Sequence, residues 1–171
     1  MSGSLYVCPY DKCSHVRGVF MLILKMPGGA IEHVKEDNLF WMRKALAGER
    51  KDAVVLRIGA DRFYSIETLA ELIAKFTEAN VAIAKLTPPE GRLTMAVNAA
   101  NVIEVEAGNP KIYHERARAV LVFSPRVRLA VRETEAEVRA ALDTAKASMG
   151  PRPIASLRRP ARGSRRAAAG R

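Results

Sequence analysis

Arginine is the side chain that most plainly offers chemistry in this sequence, and it is concentrated at one end. Gly150–Arg171 holds Arg152, Arg158, Arg159, Arg162, Arg165, Arg166 and Arg171 and no acidic residue. A guanidinium stays charged at neutral pH and presents a planar fork of donors that matches phosphate oxygens in pairs. The chain carries +10, yet its first 149 residues hold 21 basic against 18 acidic residues, only +3. The strong basicity therefore belongs to a tail. A Pro/Arg/Ala/Gly/Ser segment buries too little apolar surface to offset its ordering entropy, so disorder is expected over 150–171. Such an arm attracts a polyanion by neutralising phosphates and releasing counterions, with Arg158, Arg159, Arg162, Arg165 and Arg166 as candidate contacts.

Two further basic sets lie inside the chain. Read as a strand, Arg126–Arg132 projects Arg126, Arg128 and Arg132 from one face, because side chains alternate with period two. Successive guanidiniums would then stand roughly 7 Å apart, a spacing suited to successive phosphates. The competing reading is a helix from Ser124-Pro125, which would scatter the three. In the hairpin Arg57–Tyr64, Arg57 and Arg62 lie close to Phe63 and Tyr64. Cations interleaved with aromatics can hold a backbone while stacking bases. The plainer roles are a solvated sheet face for the first set, and Phe63 as core with Tyr64 as a helix staple for the second. Trp41 reads as core or interface.

Other candidate chemistry is incomplete. Cys8-Pro9-Tyr10-Asp11-Lys12-Cys13 has the look of half a zinc finger, but tetrahedral zinc wants four ligands and only His15 and His33 lie near. Cys8 and Cys13 are thus a partial metal site at most, and no metal or cofactor is expected. Glu104 and Glu106 share a strand face and could hold a metal for phosphodiester cleavage, yet Lys111 lies beyond a Gly-Asn-Pro break. No glycine-rich phosphate loop, G-x-S-x-G or H-E-x-x-H occurs. An enzyme is therefore not expected, with a metal-dependent nuclease as the least remote type. His114 is placed on a helix surface.

These residues need elements to position them. A chain of 171 residues with 49% apolar content supports one core. The expected organisation is an extension over 1–18 (wholly so to residue 20 if Met21 is the true start), an α+β domain over 19–149 and the tail. Val19–Met26 and Ala30–Val34 read as a hairpin around Pro27-Gly28-Gly29. A helix is predicted from Asp37 or Asn38 to about Ala47, with Leu39, Met42 and Leu46 inward and Gly48 ending it. Ala53–Ile58 and Arg62–Tyr64 form a second hairpin. Ser65 is expected to cap a helix over Ile66–Ala79, with Ile66, Leu69, Ile73 and Phe76 in one stripe.

Strands are predicted over Val81–Leu86, Arg92–Asn98 and Val102–Ala107, then a helix from Asn109-Pro110 to about Ala119. Thr134 and Glu137 form a capping box for a last helix ending near Met149. The expected class is α+β: a largely antiparallel sheet with three to four helices. No apolar run approaches the ~18 residues of a membrane span, and no secretory signal is seen, so a cytoplasmic protein without membrane partners is expected. The absence of glutamine, with 27% charged residues, is a thermophile-like composition.

The stretch Val54-Val55-Leu56-Arg57-Ile58-Gly59, followed by Ser65–Phe76, resembles the second strand and second helix of the Alba chromatin proteins. It spans some 23 residues. Lys25-Met26-Pro27 stands where that group has a lysine pair, and the hairpins depart from its strand order. Size, basicity and general pattern also resemble the ThermoDBP-related single-strand DNA-binding proteins. Both resemblances imply an archaeal nucleic-acid-binding protein, and the second an oligomer. The expectation is a non-enzymatic binder of single-stranded DNA or RNA through sequence-independent phosphate contacts, which could be a homo-oligomer. The alternative is an adaptor or small subunit of a ribonucleoprotein or repair assembly.

The tail gives a measurable expectation. A chain ending at Met149 should bind single strands more weakly, its slope of log K against log salt shallower by roughly 0.7 per lost phosphate contact. Anisotropy titrations at several salt concentrations read both, and an unchanged slope would remove the tail as an electrostatic arm.

Overall fold

Leu39, Phe40, Trp41 and Met42 pack large side chains into four consecutive positions, and this run organises the fold as a strand. The computed structural model describes residues 21–91 and 93–149. In it, β3 (Leu39–Lys44) lies hydrogen-bonded along both edges, between β4 (Val54–Ile58) and β7 (Met95–Asn98). The predicted helix over this segment is therefore corrected. Its apolar spacing fits either period, and aromatic residues with two waiting ladder partners decide for strand. Gly48, expected to end that helix, instead sits at φ +91° in the turn leading to β4.

The full sheet adds β5 (Asp61–Ser65) and β6 (Ile83–Leu86) at its edges, in the order β5-β4-β3-β7-β6 with every neighbour antiparallel. Side-chain alternation gives it two apolar faces. Leu39, Met42, Leu56 and Ala96 pack on one side with Leu69, Leu72 and Phe76 of α1 (Leu69–Glu78). The same layer takes Leu24 and Val34 from the hairpin of β1 (Met21–Lys25) and β2 (Ile31–Lys35). Trp41, Val55, Met95 and Val97 form the other side. That face meets Leu121 and Phe123 of a second sheet and Val138 and Leu142 of α2 (Glu135–Ala147). The second sheet is three-stranded, in the order β10-β9-β8, from β8 (Glu104–Ala107), β9 (Ala119–Ser124) and β10 (Val127–Val131).

Among the described residues there are thus ten strands in three sheets and two α-helices. The protein is β-rich, and the expected α+β class with three to four helices does not hold. The predicted helix from Asn109-Pro110 is a series of turns, closed where the Gly108 N–H donates to the Arg118 carbonyl at 2.8 Å. The chain beyond it enters β9, an element absent from the sequence reading. Ala119–Phe123 is buried throughout, as befits the middle strand of a covered sheet, so it carries no period to detect.

Helix α1 starts later than predicted. Its cap is Thr68, whose side chain accepts from the Glu71 N–H while the Glu71 carboxylate accepts from the Thr68 N–H. Ser65 is fully buried at the end of β5 and donates instead to the Lys25 carbonyl at 2.9 Å. Glu67 next to it accepts from the Lys25 N–H at 2.9 Å and pairs with Lys75 on α1. Burial works to raise the Glu67 pKa, but these donors outweigh it and hold the group below its usual range. One carboxylate therefore joins β1, β5 and α1. At the other helix, Thr134 and Glu137 form the predicted capping box. No described helix is long and apolar enough to cross a membrane. Readings that concern residues 1–20 and 150–171, including Cys8, Cys13 and the arginine tail, lie outside the described residues.

The two hydroxyls should separate by substitution. Thr68→Ala removes a helix cap and should cost about 1 kcal/mol. Ser65→Ala leaves buried polar groups unpaired and should cost about 1–3 kcal/mol. Urea unfolding measures both; a larger loss at Thr68 than at Ser65 would overturn this ordering.

Candidate functional site

Cross-strand register on the five-stranded sheet places side chains of one face in rows. Arg62 pairs with Arg57, Arg57 with Trp41, Trp41 with Val97, and Val97 with Ala84. The neighbouring row is Tyr64, Val55, Arg43, Met95 and Leu86. The half on β7 and β6 is apolar and buried under the second layer. The half on β5, β4 and β3 carries three arginines.

Their electrostatics are uneven. Arg43 and Glu49 form a two-pronged ion pair, at 2.6 and 3.0 Å, with side chains only 12% and 17% exposed. Arg43 also lies over the Trp41 ring, 5.5 Å from its centroid, so the indole is packed and takes no base on that face. Glu49 reaches Arg62 at 3.8 Å, where the arginine side chain is 49% exposed. The Arg43 hydrogen bond holds the Glu49 pKa below its usual range; burial opposes this, and the Leu46 N–H and the charges of Arg43 and Arg62 support it. Arg57, half-buried, has no ion pair among the described residues and stands directly opposite Arg62. Directly opposed residues hold their Cβ atoms about 5 Å apart, and like charges there repel. Of these three guanidiniums, Arg43 and Arg62 share the Glu49 carboxylate and Arg57 does not reach it. Tyr64 is half-buried beside them, while Phe63, on the opposite face, joins the core.

The other basic set is placed differently. Arg126 is exposed in the turn before β10, and a register shift follows between Val127 and Arg128. Arg128 donates to Glu106 at 2.6 Å across the outer face of the three-stranded sheet. A hydrogen bond with Tyr113, and then the Glu106 charge, raise its pKa further. Arg132 lies past the strand end, its guanidinium 3.4 Å from the Gly91 carbonyl. Glu104 and Glu106 do share a face with Arg128, which occupies Glu106. Among the described residues no group of three His, Cys, Asp or Glu is arranged to hold a metal. Lys111 and His114 are exposed, and the His114 Nδ1 accepts from the Arg116 N–H in a turn rather than on a helix.

Sequence reading found Arg57, Arg62 and Tyr64 but missed Arg43 and Glu49. Both lay in a segment read as helix and loop, and only the strand register makes them neighbours of Arg62. No protein-family model and no curated protein matches this chain. Among solved structures, the LytTr DNA-binding domain of a methyl-accepting/DNA response regulator from Bacillus cereus is similar, with a TM-score of 0.45 and 11% identity. The superposition covers 71% of this chain and 94% of that domain. A likeness of that size carries no argument about function. Neither the Alba nor the ThermoDBP-related group is among these matches.

Glu49 yields a pH-dependent prediction. Its folded pKa lies below the ordinary 4.5, so its stabilisation is complete above that value and is lost as pH falls through the folded one. Glu49→Gln should cost about 1–3 kcal/mol at pH 7. The gap between the two proteins in urea unfolding should narrow at pH 3; a gap independent of pH would mean that Glu49 acts through shape alone.

Proposed function

We propose that this chain is a non-enzymatic nucleic-acid-binding protein that prefers single-stranded DNA or RNA and grips its phosphates without regard to sequence. The observation that carries this reading is the Arg57–Arg62 pair. A cross-strand like-charge pair costs stability, and Glu49 is already engaged by Arg43. An anion between Arg57 and Arg62 relieves the repulsion and uses the donor forks of both. Tyr64 offers a ring at the edge of the same patch, and a sheet face suits splayed bases better than a duplex groove does. The arginines of 150–171 add a sequence-independent arm.

A second reading, a protein adaptor or homo-oligomer, has one observation of its own. Met21, Ile23 and Ile31 share the outer face of the β1–β2 hairpin and are 43%, 47% and 60% exposed. An apolar group of this kind is a common protein-contact surface.

The readings separate on the double change Arg57→Ser/Arg62→Ser in the full chain. Binding to a single-stranded oligonucleotide should weaken roughly tenfold or more, and the salt slope should fall by about 1.4, from two lost phosphate contacts. Thermal stability should hold or rise, because the repulsion is gone. Unchanged affinity with intact folding would give the adaptor reading the lead.

A further inference from the structure

The β1–β2 hairpin divides its side chains between two sides. Leu24 and Val34 face the core, and Glu32, the one acidic residue from Met21 to Lys35, stands opposite Leu24 on that side. The outer side carries three cross-strand pairs: Met21 with Lys35, Ile23 with His33 and Lys25 with Ile31, all six residues exposed. Each pair joins an aliphatic side chain to a basic one. Lys25 lies near Glu71, a carboxylate already bonded to the Thr68 N–H. His33 and Lys35 make no ion pair among the described residues.

The backbone of the two strands is used unequally. On β1, the Lys25 N–H donates to Glu67 at 2.9 Å and its carbonyl accepts from the Ile66 N–H at 3.0 Å. The Ile23 carbonyl accepts from the Lys75 ammonium at 3.2 Å. Ile23 and Lys25 thus turn their polar groups away from β2. Opposed residues of an antiparallel ladder alternate between bonded and non-bonded pairs, so their partners His33 and Ile31 turn theirs away from β1. The far side of β1 is closed by the end of β5 and by α1, whereas β2 pairs with β1 alone among the described residues. The N–H and C=O groups of Ile31 and His33 therefore form an open edge, next to an exposed isoleucine and an exposed lysine.

We infer that the edge of β2 takes up an extended segment of an acidic protein partner. The segment's backbone bonds to Ile31 and His33, its carboxylates lie beside His33 and Lys35, and an aliphatic side chain packs on Ile31. Strand addition of this kind draws affinity from main-chain bonds and specificity from alternate side chains. The inference rests on the adaptor reading, to which it gives a partner chemistry, and is independent of nucleic-acid binding at Arg57 and Arg62. Charge disfavours the nearer occupants. A second copy paired edge to edge about His33 would set His33 against its own image and Lys35 against Ile31, with no carboxylate on the outer side, and a lysine on an edge strand deters such self-pairing. Residues 1–20 hold Asp11 as their one acidic residue, and 150–171 hold none. Bases would find no aromatic ring among these six residues to stack on. A bilayer would leave the edge groups unbonded in hydrocarbon.

The test titrates the full chain with a blocked peptide, Thr-Glu-Thr-Glu-Thr-Ile-Thr, followed by amide resonances and hydrogen exchange. Paired antiparallel to β2, this peptide sets its two Glu beside Lys35 and His33 and its Ile beside Ile31. The Ile31 and His33 amides should shift and exchange more slowly. Replacing both Glu of the peptide by Lys should weaken binding about tenfold or more. Ile31→Ser should do the same by removing apolar contact. His33→Pro removes an outward donor, which an edge strand tolerates, and should abolish binding while resonances away from the hairpin stay in place. Arg57→Ser/Arg62→Ser should leave the peptide affinity as it was, whatever becomes of oligonucleotide binding. Peptide shifts at another surface would sink this site and keep an adaptor. No binding, equal binding of the Lys peptide, or a concentration-dependent dimer lost with His33→Pro would overturn the inference. So would an oligonucleotide or a phosphatidylserine vesicle that moves the Ile31 and His33 amides where the peptide does not.

Discussion

A sheet that is apolar on both faces has to be covered twice, and that requirement shapes this molecule. Met42 and Ala96 lie fully buried on one side of the central strands, Met95 and Val97 on the other. One cover is made by α1 and the β1–β2 hairpin. The other is the three-stranded sheet with α2, whose packing side chains come from all three strands and the helix. The second cover carries its apolar contact over β7 and β6. Toward β5 the same face passes to Arg57 and Arg62, because surface that no layer dries must be polar. The candidate site is in this sense the uncovered half of a core face.

Buried carboxylates hold these layers together at the points where polar groups enter them. Glu67 takes a backbone N–H from β1, the Ser65 hydroxyl and the Lys75 ammonium, so the hairpin, the sheet edge and α1 meet at one charge. Glu49 does the same for the turn after β3, accepting from the Leu46 N–H while bridging to Arg43. In both, several donors offset the desolvation of the carboxylate, the condition under which a largely buried charge is tolerated. Glu133 has an oxygen that does not meet it.

The edges of the smaller sheet are also managed. Arg139 on α2 reaches the Val105 carbonyl at 2.9 Å, engaging a group on the outer edge of β8 that would otherwise be open to another strand. Arg128 and Glu106 pair across its outer face. Arginines in this protein therefore serve two ends. Some are consumed by structure, as Arg128, Arg139 and Arg43 are. Others are not: Arg57 is positioned by its strand opposite Arg62 and makes no ion pair among the described residues.

How far the sequence spoke depended on whether a signal was local. Thr134 and Glu137 are three residues apart, and a capping box needs nothing else, so the start of α2 was legible. The hairpin turn at Gly28-Gly29, both at positive φ, and the alternating run of β10 were legible for the same reason. The arginine-rich tail is a matter of composition and needs no fold to be seen. Leu39–Lys44 was misread because its spacing fits a helix and its strand state depends on partners at Val54–Ile58 and Met95–Asn98. The middle strand β9 was invisible because burial on both faces erases the alternation that marks a strand. Which arginines are free was likewise decided only in three dimensions. Arg128 and Arg57 look alike in the chain, but one faces Glu106 from a neighbouring strand and the other faces Arg62. Residue type and short-range spacing belong to the sequence; pairing between distant strands, and therefore the balance of charge at a site, belongs to the tertiary structure.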